Sequence, residues 1–144
     1  MFVNSNPYLD SNVWLYALVN TPAPSEQENQ KREKAGALID SSTVVISTQV
    51  INEVCSNLLK KSNFCESQIQ QLIHSFYDGC RVVELHQEIL MRASHLRTQH
   101  YFSFWDSLIV AAALHADVTI LYSEDMQDGL KISDQLEIAN PFQI

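Results

Sequence analysis

The chain has 144 residues, of which 46% are hydrophobic, and it carries a formal net charge of -8 at pH 7. This length and composition fit one globular domain with its own core, so we expect residues 1–144 to form a single domain. The negative charge argues against broad electrostatic capture of nucleic acid, because phosphate affinity normally comes from lysine and arginine. Divalent cations in an acidic cleft, or a basic partner, remain compatible with it.

Two further classes are disfavoured by the sequence. The chain does not begin with a positive segment followed by an apolar block, and no stretch is apolar for long enough to span a bilayer, so we expect a cytoplasmic protein without membrane contact. Cys55, Cys65 and Cys80 form no Cys-x-x-Cys pair, which argues against a disulfide scaffold and a zinc site. Cys55 is expected in the core.

Strands and helices are predicted to alternate along the chain. In chain order we expect strand 8–9, helix 12–19, helix 25–39, strand 44–46, helix 50–59, helix 68–77, strand 81–85, helix 87–98, helix 106–116 and strand 118–122. Helix 106–116 is apolar almost all round and should be the most buried, whereas helix 25–39 is polar and suggests no chemistry. This alternation predicts an α/β fold with a mainly parallel sheet.

An aromatic run, Tyr101-Phe102-Ser103-Phe104-Trp105, precedes the most apolar helix. Such a run more often belongs to a core or a subunit interface than to a platform for stacking nucleic-acid bases. We therefore expect it to be covered by protein.

Four carboxylates follow apolar runs that should end at one edge of the sheet: Asp10, Glu53, Asp106 and Asp125. Ligands of such sheets bind beyond the carboxyl ends of the strands, where the strand order reverses. Each acid also has a structural explanation. Asp10 can cap a helix, Asp106 fits a capping box with Ser103, Glu53 can be an ordinary exposed helix residue, and Asp125 can sit at the positive end of a helix.

Gathered carboxylates must be neutralised. Two of them about 4 Å apart repel by roughly 4 kcal/mol at an effective dielectric near 20, so a cluster requires either bound protons or a divalent cation. We favour the cation, and oxygen ligands alone select Mg²⁺ or Mn²⁺ over zinc. Near the C-terminal end of the pattern, Asp125 is the preferred fourth carboxylate of the cluster. Asp128 would share a helical face with Asp125 if a turn forms, and Glu124 is expected to point elsewhere.

No other catalytic motif stands out. The five histidines show no metal-ligand spacing and are expected at the surface or on helix margins: His74, His86, His95, His100 and His115. The chain also lacks a P-loop, a dinucleotide glycine fingerprint and a nucleophile elbow.

Four segments in this order resemble the motifs of the PIN-domain nucleases, and especially of the VapC-type toxins of bacterial toxin/antitoxin pairs. They are residues 8–17, 47–53, 104–113 and 121–125, so the resemblance spans nearly the whole chain. It implies a three-layer PIN-like α/β fold with a central, mainly parallel twisted sheet of four to five strands flanked by helices. It also implies a metal-dependent endoribonuclease that acts on RNA, forms a homodimer, and is inhibited when a cognate antitoxin inserts a segment into the acidic groove.

The resemblance also suggests roles for individual residues. Asp10, Asp106 and Asp125 would hold Mg²⁺, with Mn²⁺ as a substitute, and Glu53 would bind a second ion or orient and help deprotonate the attacking water. The products would carry a 5′-phosphate and a 3′-hydroxyl. Supporting residues that orient the carboxylates or touch the substrate would be Ser11, Asn12, Ser123 and Asp128.

Three other classes of protein could also place acidic residues in this way. A phosphatase of the haloacid dehalogenase type needs a second acid two residues after Asp10, where Asn12 stands. A receiver domain needs an aspartate after a middle strand, where Ser47 and Thr48 follow instead. A catalytically inactive PIN-like scaffold, whose acids serve only as helix caps and which acts by binding a partner protein, stays open.

Overall fold

The computed structural model describes residues 6–143, in which strands and helices alternate. The strands are β1 (Tyr8–Leu9), β2 (Val45–Ser47), β3 (Arg81–Val83), β4 (Ile120–Tyr122), β5 (Lys131–Ile132) and β6 (Leu136–Ala139). The helices are α1 (Ser11–Leu18), α2 (Glu26–Ser41), α3 (Thr48–Lys61), α4 (Glu66–Gly79), α5 (Gln87–Gln99) and α6 (Phe104–His115). The predictions about the start of the chain, and the ends of the predicted 1–144 domain, fall on residues 1–5 and 144, outside the described residues.

The strands form one sheet in the order β3-β2-β1-β4-β6-β5. All neighbouring strands are parallel except β5, which runs antiparallel to β6. This confirms the predicted α/β fold with a mainly parallel sheet flanked by helices. The described residues form six strands where four to five were expected, because Lys131–Ile132 and Leu136–Ala139 make a hairpin at one edge. Its turn contains Ser133 and Asp134, both with positive φ.

The strand order reverses beside β1. The chain runs outward on one side through β2 and β3, and α5 and α6 then carry it back to β4 on the other side of β1. Leu9 of β1 lies opposite Tyr122 of β4, so both strands end at the same level. A crevice forms at such a reversal, beyond the carboxyl ends of the two central strands. Asp10 and Ser123 are the first residues past those ends.

Three helices near this edge begin at capped residues. The Oδ1 atom of Asp10 accepts a hydrogen bond of 2.7 Å from the Ser11 amide, and Ser47 Oγ accepts one of 3.4 Å from the Val50 amide. Ser103 Oγ accepts one of 3.1 Å from the Asp106 amide. Caps of this kind satisfy amides that have no partner within the helix and fix where each helix starts. The predicted caps at Asp10 and Ser103 are therefore confirmed, and of Ser47 and Thr48, either of which the sequence allows as the cap of α3, the cap is Ser47.

The core lies between the sheet and the helices. Every residue of α6 from Ser107 to Leu114 is buried, as predicted for the most apolar helix. The strand residues Leu9, Ile46 and Leu121 are fully buried. Burying one such side chain contributes roughly 1.5–3 kcal/mol, so the central strands are held firmly in place. Cys55 is part of this core, as expected.

Part of the aromatic run lies outside the core of this chain. Tyr101, Phe104 and Trp105 are exposed, with relative accessibilities of 110%, 54% and 58%, so the expectation of a core location is wrong for these three residues. The reason is positional, because the buried part of α6 begins only at Ser107. Within residues 6–143, no helix combines the length and apolar character that crossing a bilayer requires.

Candidate active site

Asp10 is the most enclosed carboxylate of the crevice, with 3% of its surface accessible. Besides the Ser11 amide on Oδ1, its Oδ2 atom accepts a hydrogen bond of 2.8 Å from Ser123 Oγ and a longer one of 3.4 Å from Asn12 Nδ2. Burial raises the pKa of Asp10 to about 6, and the charges of Glu53 and Asp106 add to the increase, whereas the bonds from Ser123 and Ser11 oppose it. This carboxylate thus lies where its charge is costly, and donors from two segments fix its orientation.

Glu53 lies on α3 and is joined to Asp10 through Ser11. Ser11 Oγ donates a hydrogen bond of 2.9 Å to Glu53 Oε1, and it lies 3.4 Å from Asp10 Oδ1. Gln49, one turn earlier on α3, donates a bond of 3.0 Å from Nε2 to the other oxygen, Oε2. The charges of Glu53 and Asp10 also act on the fully buried Tyr8, whose pKa is raised mainly by burial and further by these two carboxylates. Both oxygens of Glu53 are therefore oriented by neighbours.

Asp125 lies in the loop after β4 and is joined to the start of α1 by Asn12. The Nδ2 atom of Asn12 donates a hydrogen bond of 3.1 Å to Asp125 Oδ2, and its Oδ1 accepts one of 3.2 Å from the Glu124 amide. The Nδ2 donor of this one side chain thereby reaches both Asp10 and Asp125, while its Oδ1 acceptor holds the loop at Glu124. Asp125 itself is exposed, and no helix follows it. The idea that it sits at a helix N-terminus is therefore wrong.

Ser123 organises this loop from inside the protein. While it donates to Asp10, its Oγ atom accepts hydrogen bonds of 3.3 Å from the amides of Asp125 and Met126. The hydroxyl is fully buried, and its one proton and two lone pairs all have partners. The shape of the loop and the orientation of Asp10 therefore depend on the same group.

Asp106 lies in the first turn of α6 and is half-buried. Burial raises its pKa, a hydrogen bond with Ser103 opposes the increase, and the charges of Glu53 and Asp125 add to it. Asp106 and Asp125 line the same cavity of about 260 Å³. Asp106 therefore faces the same crevice as the other three carboxylates, and a cavity lies between it and Asp125.

The donor chemistry suits a hard divalent cation, but the spacing is not that of a closed cage. The four side chains offer carboxylate oxygens only, which are the ligands that Mg²⁺ and Mn²⁺ prefer. After burial, the charges of Glu53 and Asp106 help to raise the pKa of Asp10, and those of Glu53 and Asp125 help to raise the pKa of Asp106. Across residues 6–143, no group of three or more His, Cys, Asp or Glu side chains is arranged so that it could hold a metal ion.

Two neighbouring acids lie outside the cluster. Asp128 is exposed, and its Oδ1 accepts a hydrogen bond of 2.7 Å from the Asn140 amide. No helical turn forms over residues 123–128, so Asp128 does not share a face with Asp125 as the sequence had allowed. Glu124 points away, as expected, and its carboxylate accepts hydrogen bonds of 2.7 Å from Tyr16 Oη and 2.5 Å from Lys31 Nζ.

Three residues of this network were missed in the sequence. Gln49 had a readable signal, because it precedes Glu53 by four positions on one helix. Tyr16 and Lys31 orient the residue next to Asp125, and Lys31 comes from the helix for which no chemistry was expected. Lys31 and Glu124 are far apart in the chain, and no local pattern signals such a pair.

Comparisons with known proteins agree on the fold. The family model described as "PIN domain" matches residues 8–128. A toxin–antitoxin complex from Klebsiella pneumoniae is 16% identical with a TM-score of 0.65, and the match covers 96% of this chain and 99% of that chain. VapC20 from Mycobacterium tuberculosis, described as a toxin that cleaves the sarcin-ricin loop, is 20% identical with a TM-score of 0.62, over 83% and 89% of the two chains.

A third similar structure is VapBC2 from Rickettsia felis bound to a promoter DNA fragment. It is 19% identical with a TM-score of 0.63, over 93% of this chain and 97% of that chain. At these identities the structures show a shared fold. No curated protein matches the chain. PIN nucleases are generally dependent on divalent metal ions. Because the family model covers most of the sequence, and the fold and its acidic crevice agree with it, this chain belongs to the PIN domain family.

Proposed function

We propose that this chain is an Mg²⁺- or Mn²⁺-dependent endoribonuclease, a single PIN domain that hydrolyses RNA phosphodiester bonds as the toxin of a toxin/antitoxin pair. One observation carries the proposal. A nearly inaccessible carboxylate, Asp10, is held by donors from both ends of the chain and lies within the electrostatic reach of Glu53 and Asp106. A helix cap alone requires neither the burial nor the neighbouring charges.

The proposed metal ligands are Asp10, Asp106 and Asp125, with Glu53 as a ligand of a second ion or as the residue that orients water. When bound, the cation supplies Lewis-acid chemistry, polarising the scissile phosphate and lowering the pKa of the attacking water. We do not assign a role to Asp128, since its carboxylate is engaged by the Asn140 amide.

The remaining groups act on the carboxylates themselves. Ser123 and the Ser11 amide each hold one oxygen of Asp10, and Asn12 holds Asp125 near it. Ser11 and Gln49 fix Glu53, either as a ligand of a second ion or as the carboxylate that orients the attacking water and helps to deprotonate it. Fixing carboxylates by neighbouring hydrogen bonds reduces the reorganisation needed when substrate arrives.

The toxin assignment rests on the similar structures. One is described as a toxin–antitoxin complex, a second as a toxin that cleaves the sarcin-ricin loop, and the third as VapBC2 bound to a promoter DNA fragment. We propose a cognate antitoxin that inserts a segment into the acidic crevice, a homodimeric toxin and a cytoplasmic location. A small reading frame immediately upstream, whose product copurifies with this chain, would support the antitoxin.

The decisive experiment is cleavage of defined RNAs with Mg²⁺ or Mn²⁺. We expect cleavage to stop with EDTA and to fall about 100-fold or more in Asp10→Asn and in Asp106→Asn. Asp40→Asn, an exposed position on α2, controls for the loss of one negative charge. Circular dichroism checks that the variants fold. Folded Asp10→Asn protein with full activity, or cleavage that survives EDTA, contradicts the proposal.

A second candidate is an inactive PIN scaffold that acts by binding protein. It is favoured by the absence of a preformed three-carboxylate group among the described residues. Calorimetric titration with Mn²⁺ separates the two functions. The scaffold predicts no metal binding and no cleavage together with a stable antitoxin complex, whereas the nuclease predicts metal binding that Asp10→Asn abolishes.

A further inference from the structure

Two histidine side chains meet where α5 begins and α6 ends. His86 is the N-cap residue of α5, and His115 is the last residue of α6. Their Nε2 atoms are 3.3 Å apart, and the rings pack edge to face with centroids 4.7 Å apart. We call His86 and His115 the histidine pair. The two residues are 29 positions apart in the chain, so no ligand spacing was visible in the sequence.

The backbone on both sides of the histidine pair is anchored by hydrogen bonds between distant segments. Arg81 of β3 donates a bond of 2.8 Å from Nη1 to the carbonyl oxygen of Ala116, the residue after His115. The amide of Leu85, the residue before His86, donates a bond of 3.2 Å to a threonine hydroxyl on α3. Both rings therefore project from backbone that the fold itself holds in place.

The separation of the two Nε2 atoms fits two ligands of one metal ion. Zinc binds imidazole nitrogen at about 2.0–2.1 Å in tetrahedral sites, which places two ligand nitrogens about 3.3 Å from each other. The observed distance is 3.3 Å. Hydrogen bonds from N–H groups to oxygen are usually about 2.7–3.2 Å long, so the pair lies just beyond that range. The spacing therefore suits a shared cation at least as well as a shared proton.

The ligand type and the surroundings of the histidine pair favour a transition-metal ion. Imidazole nitrogen suits Zn²⁺, Cu²⁺ and Ni²⁺, whereas Mg²⁺ and Mn²⁺ prefer oxygen ligands. His86 is exposed and His115 is partly exposed, so an ion reaches them directly from solvent. Three exposed acids each stand two positions from one of these histidines, and their charges attract a cation: Glu84, Glu88 and Asp117.

The histidine pair is separate from the acidic crevice. Asp106 and His115 stand nine positions apart on α6, in its first turn and at its last residue. At a rise of 1.5 Å per residue, this separation is about 13 Å along the helix axis. An ion held by the pair therefore does not touch the carboxylate of Asp106, and the two sites differ in ligand type as well as in position.

We propose that the histidine pair is a second metal site, which takes Zn²⁺ or a similar imidazole-binding ion and joins the start of α5 to the end of α6. The Nε2 atoms of His86 and His115 are the protein ligands. Water completes the coordination, because among residues 6–143 no group of three or more His, Cys, Asp or Glu side chains is arranged to hold a metal ion. An ion bound only by the folded chain stabilises it by mass action. This inference does not depend on the proposed nuclease function.

The direct test follows the histidine rings of the whole chain by ¹H–¹⁵N correlation spectra while ZnCl₂ is added. Excess MgCl₂ is present throughout to compete for carboxylate oxygens. We expect the Nε2 signals of His86 and His115 to shift together as zinc binds. The signals of the other three histidines should stay where they are: His74, His95 and His100.

Calorimetric titration with ZnCl₂ tests the same site through variants. His86→Ala and His115→Ala should each weaken zinc binding at least about tenfold, because each removes one of two protein ligands. His95→Ala removes an exposed histidine from α5 and should bind zinc as the wild type does. With zinc at a hundred times its Kd, the Tm of the wild type should rise by roughly 5–10 °C, and both variants of the pair should lose this rise.

Four results overturn the inference. If zinc leaves the signals of His86 and His115 in place, the pair is only a hydrogen bond between two imidazoles. If it moves the signals of all five histidines alike, binding is not specific to the pair. A Tm rise that both alanine variants retain shows that zinc binds elsewhere, at the acidic crevice or at a cysteine. A stoichiometry of one ion per two chains means that a second copy, and not water, completes the coordination.

Discussion

The two sides of the acidic crevice differ in how much of their geometry is fixed by the protein itself. On one side, Asp10 is buried and linked by hydrogen bonds to Ser11, Asn12 and Ser123. On the other side, Asp106 is half-buried at the edge of a cavity whose wall includes the fully exposed Tyr101. The first side therefore holds its carboxylate in place before a ligand arrives, whereas the second side remains accessible to a ligand.

Removing the hydroxyl that organises the enclosed side should give the largest stability change. Ser123→Ala takes away a donor to Asp10 and the acceptor of two loop amides, so we expect a loss of about 2–3 kcal/mol in the free energy of unfolding. The matched change on the open side, Ser103→Ala, removes one helix cap and should cost about 1 kcal/mol. Urea denaturation measures both. Equal losses would remove the distinction between the two sides.

The pH dependence of stability tests the burial of Asp10. Its pKa of about 6 in the folded protein lies above the ordinary 3.8, so the folded state binds more protons and its stability falls as the pH rises between these values. Asp10→Asn does not titrate. In EDTA, we expect its stability relative to the wild type to rise by about 2 kcal/mol from pH 4.5 to pH 7.5.

The measurement for Asp10 is urea unfolding of both proteins at the two pH values. Asp40→Asn, tested in parallel, corrects for removing one carboxylate from an acidic chain. A constant difference between Asp10→Asn and the wild type across this range would mean that Asp10 is hydrated in solution and that the enclosed side is open.

Removing Asn12, which joins the loop after β4 to α1, should have an intermediate effect on stability and on cleavage. Asn12→Ala removes the side chain that joins Asp10 to Asp125, and we expect a loss of about 1 kcal/mol in stability and about a tenfold loss of RNA cleavage. Asn57→Ala is the control, because its amide donates only to the Glu53 carbonyl of its own helix. Unchanged cleavage by Asn12→Ala would show that Asp125 needs no positioning.

The smallest effect is expected at the outer edge of the network. Lys31→Met breaks the ion pair with Glu124, whose two side chains are 22% and 23% accessible, so we expect a loss of only about 0.5 kcal/mol. Added salt should reduce the difference from the wild type because accessible charges are screened. Thermal unfolding at low and high salt measures this stability difference, and Lys34→Met, at an exposed position, is the control. A loss above about 2 kcal/mol would mean that this pair holds the loop more strongly than a surface ion pair does.

The sequence predicted most of the fold and the positions of the four carboxylates, because both follow from local patterns. Asp10 and Asp125 come after apolar runs that end at the same sheet edge, and the caps at Ser47 and Ser103 are short-range signals. The hairpin of β5 and β6 was missed because its strands are only two and four residues long. A short alternating segment carries too little signal to be separated from a loop.

The connections between distant segments were beyond local reading. Nothing around Asn12 indicates that its amide reaches Asp125, and nothing in α2 indicates that Lys31 reaches Glu124. The exposure of Tyr101, Phe104 and Trp105 could not be predicted either, because an aromatic run has the same sequence whether its side chains are buried or exposed. Such features depend on how far each helix extends past the sheet, which only the assembled fold determines.

The dependence of Asp10 on Ser123 has a consequence for synthesis of the protein. Asp10 is synthesised 113 residues before Ser123, whose hydroxyl holds it and supports the loop that carries Asp125. The carboxylates therefore cannot come together on a growing polypeptide until translation has passed β4. A partly made chain that stops before Ser123 lacks the complete site, so the crevice forms only after both segments have been synthesised.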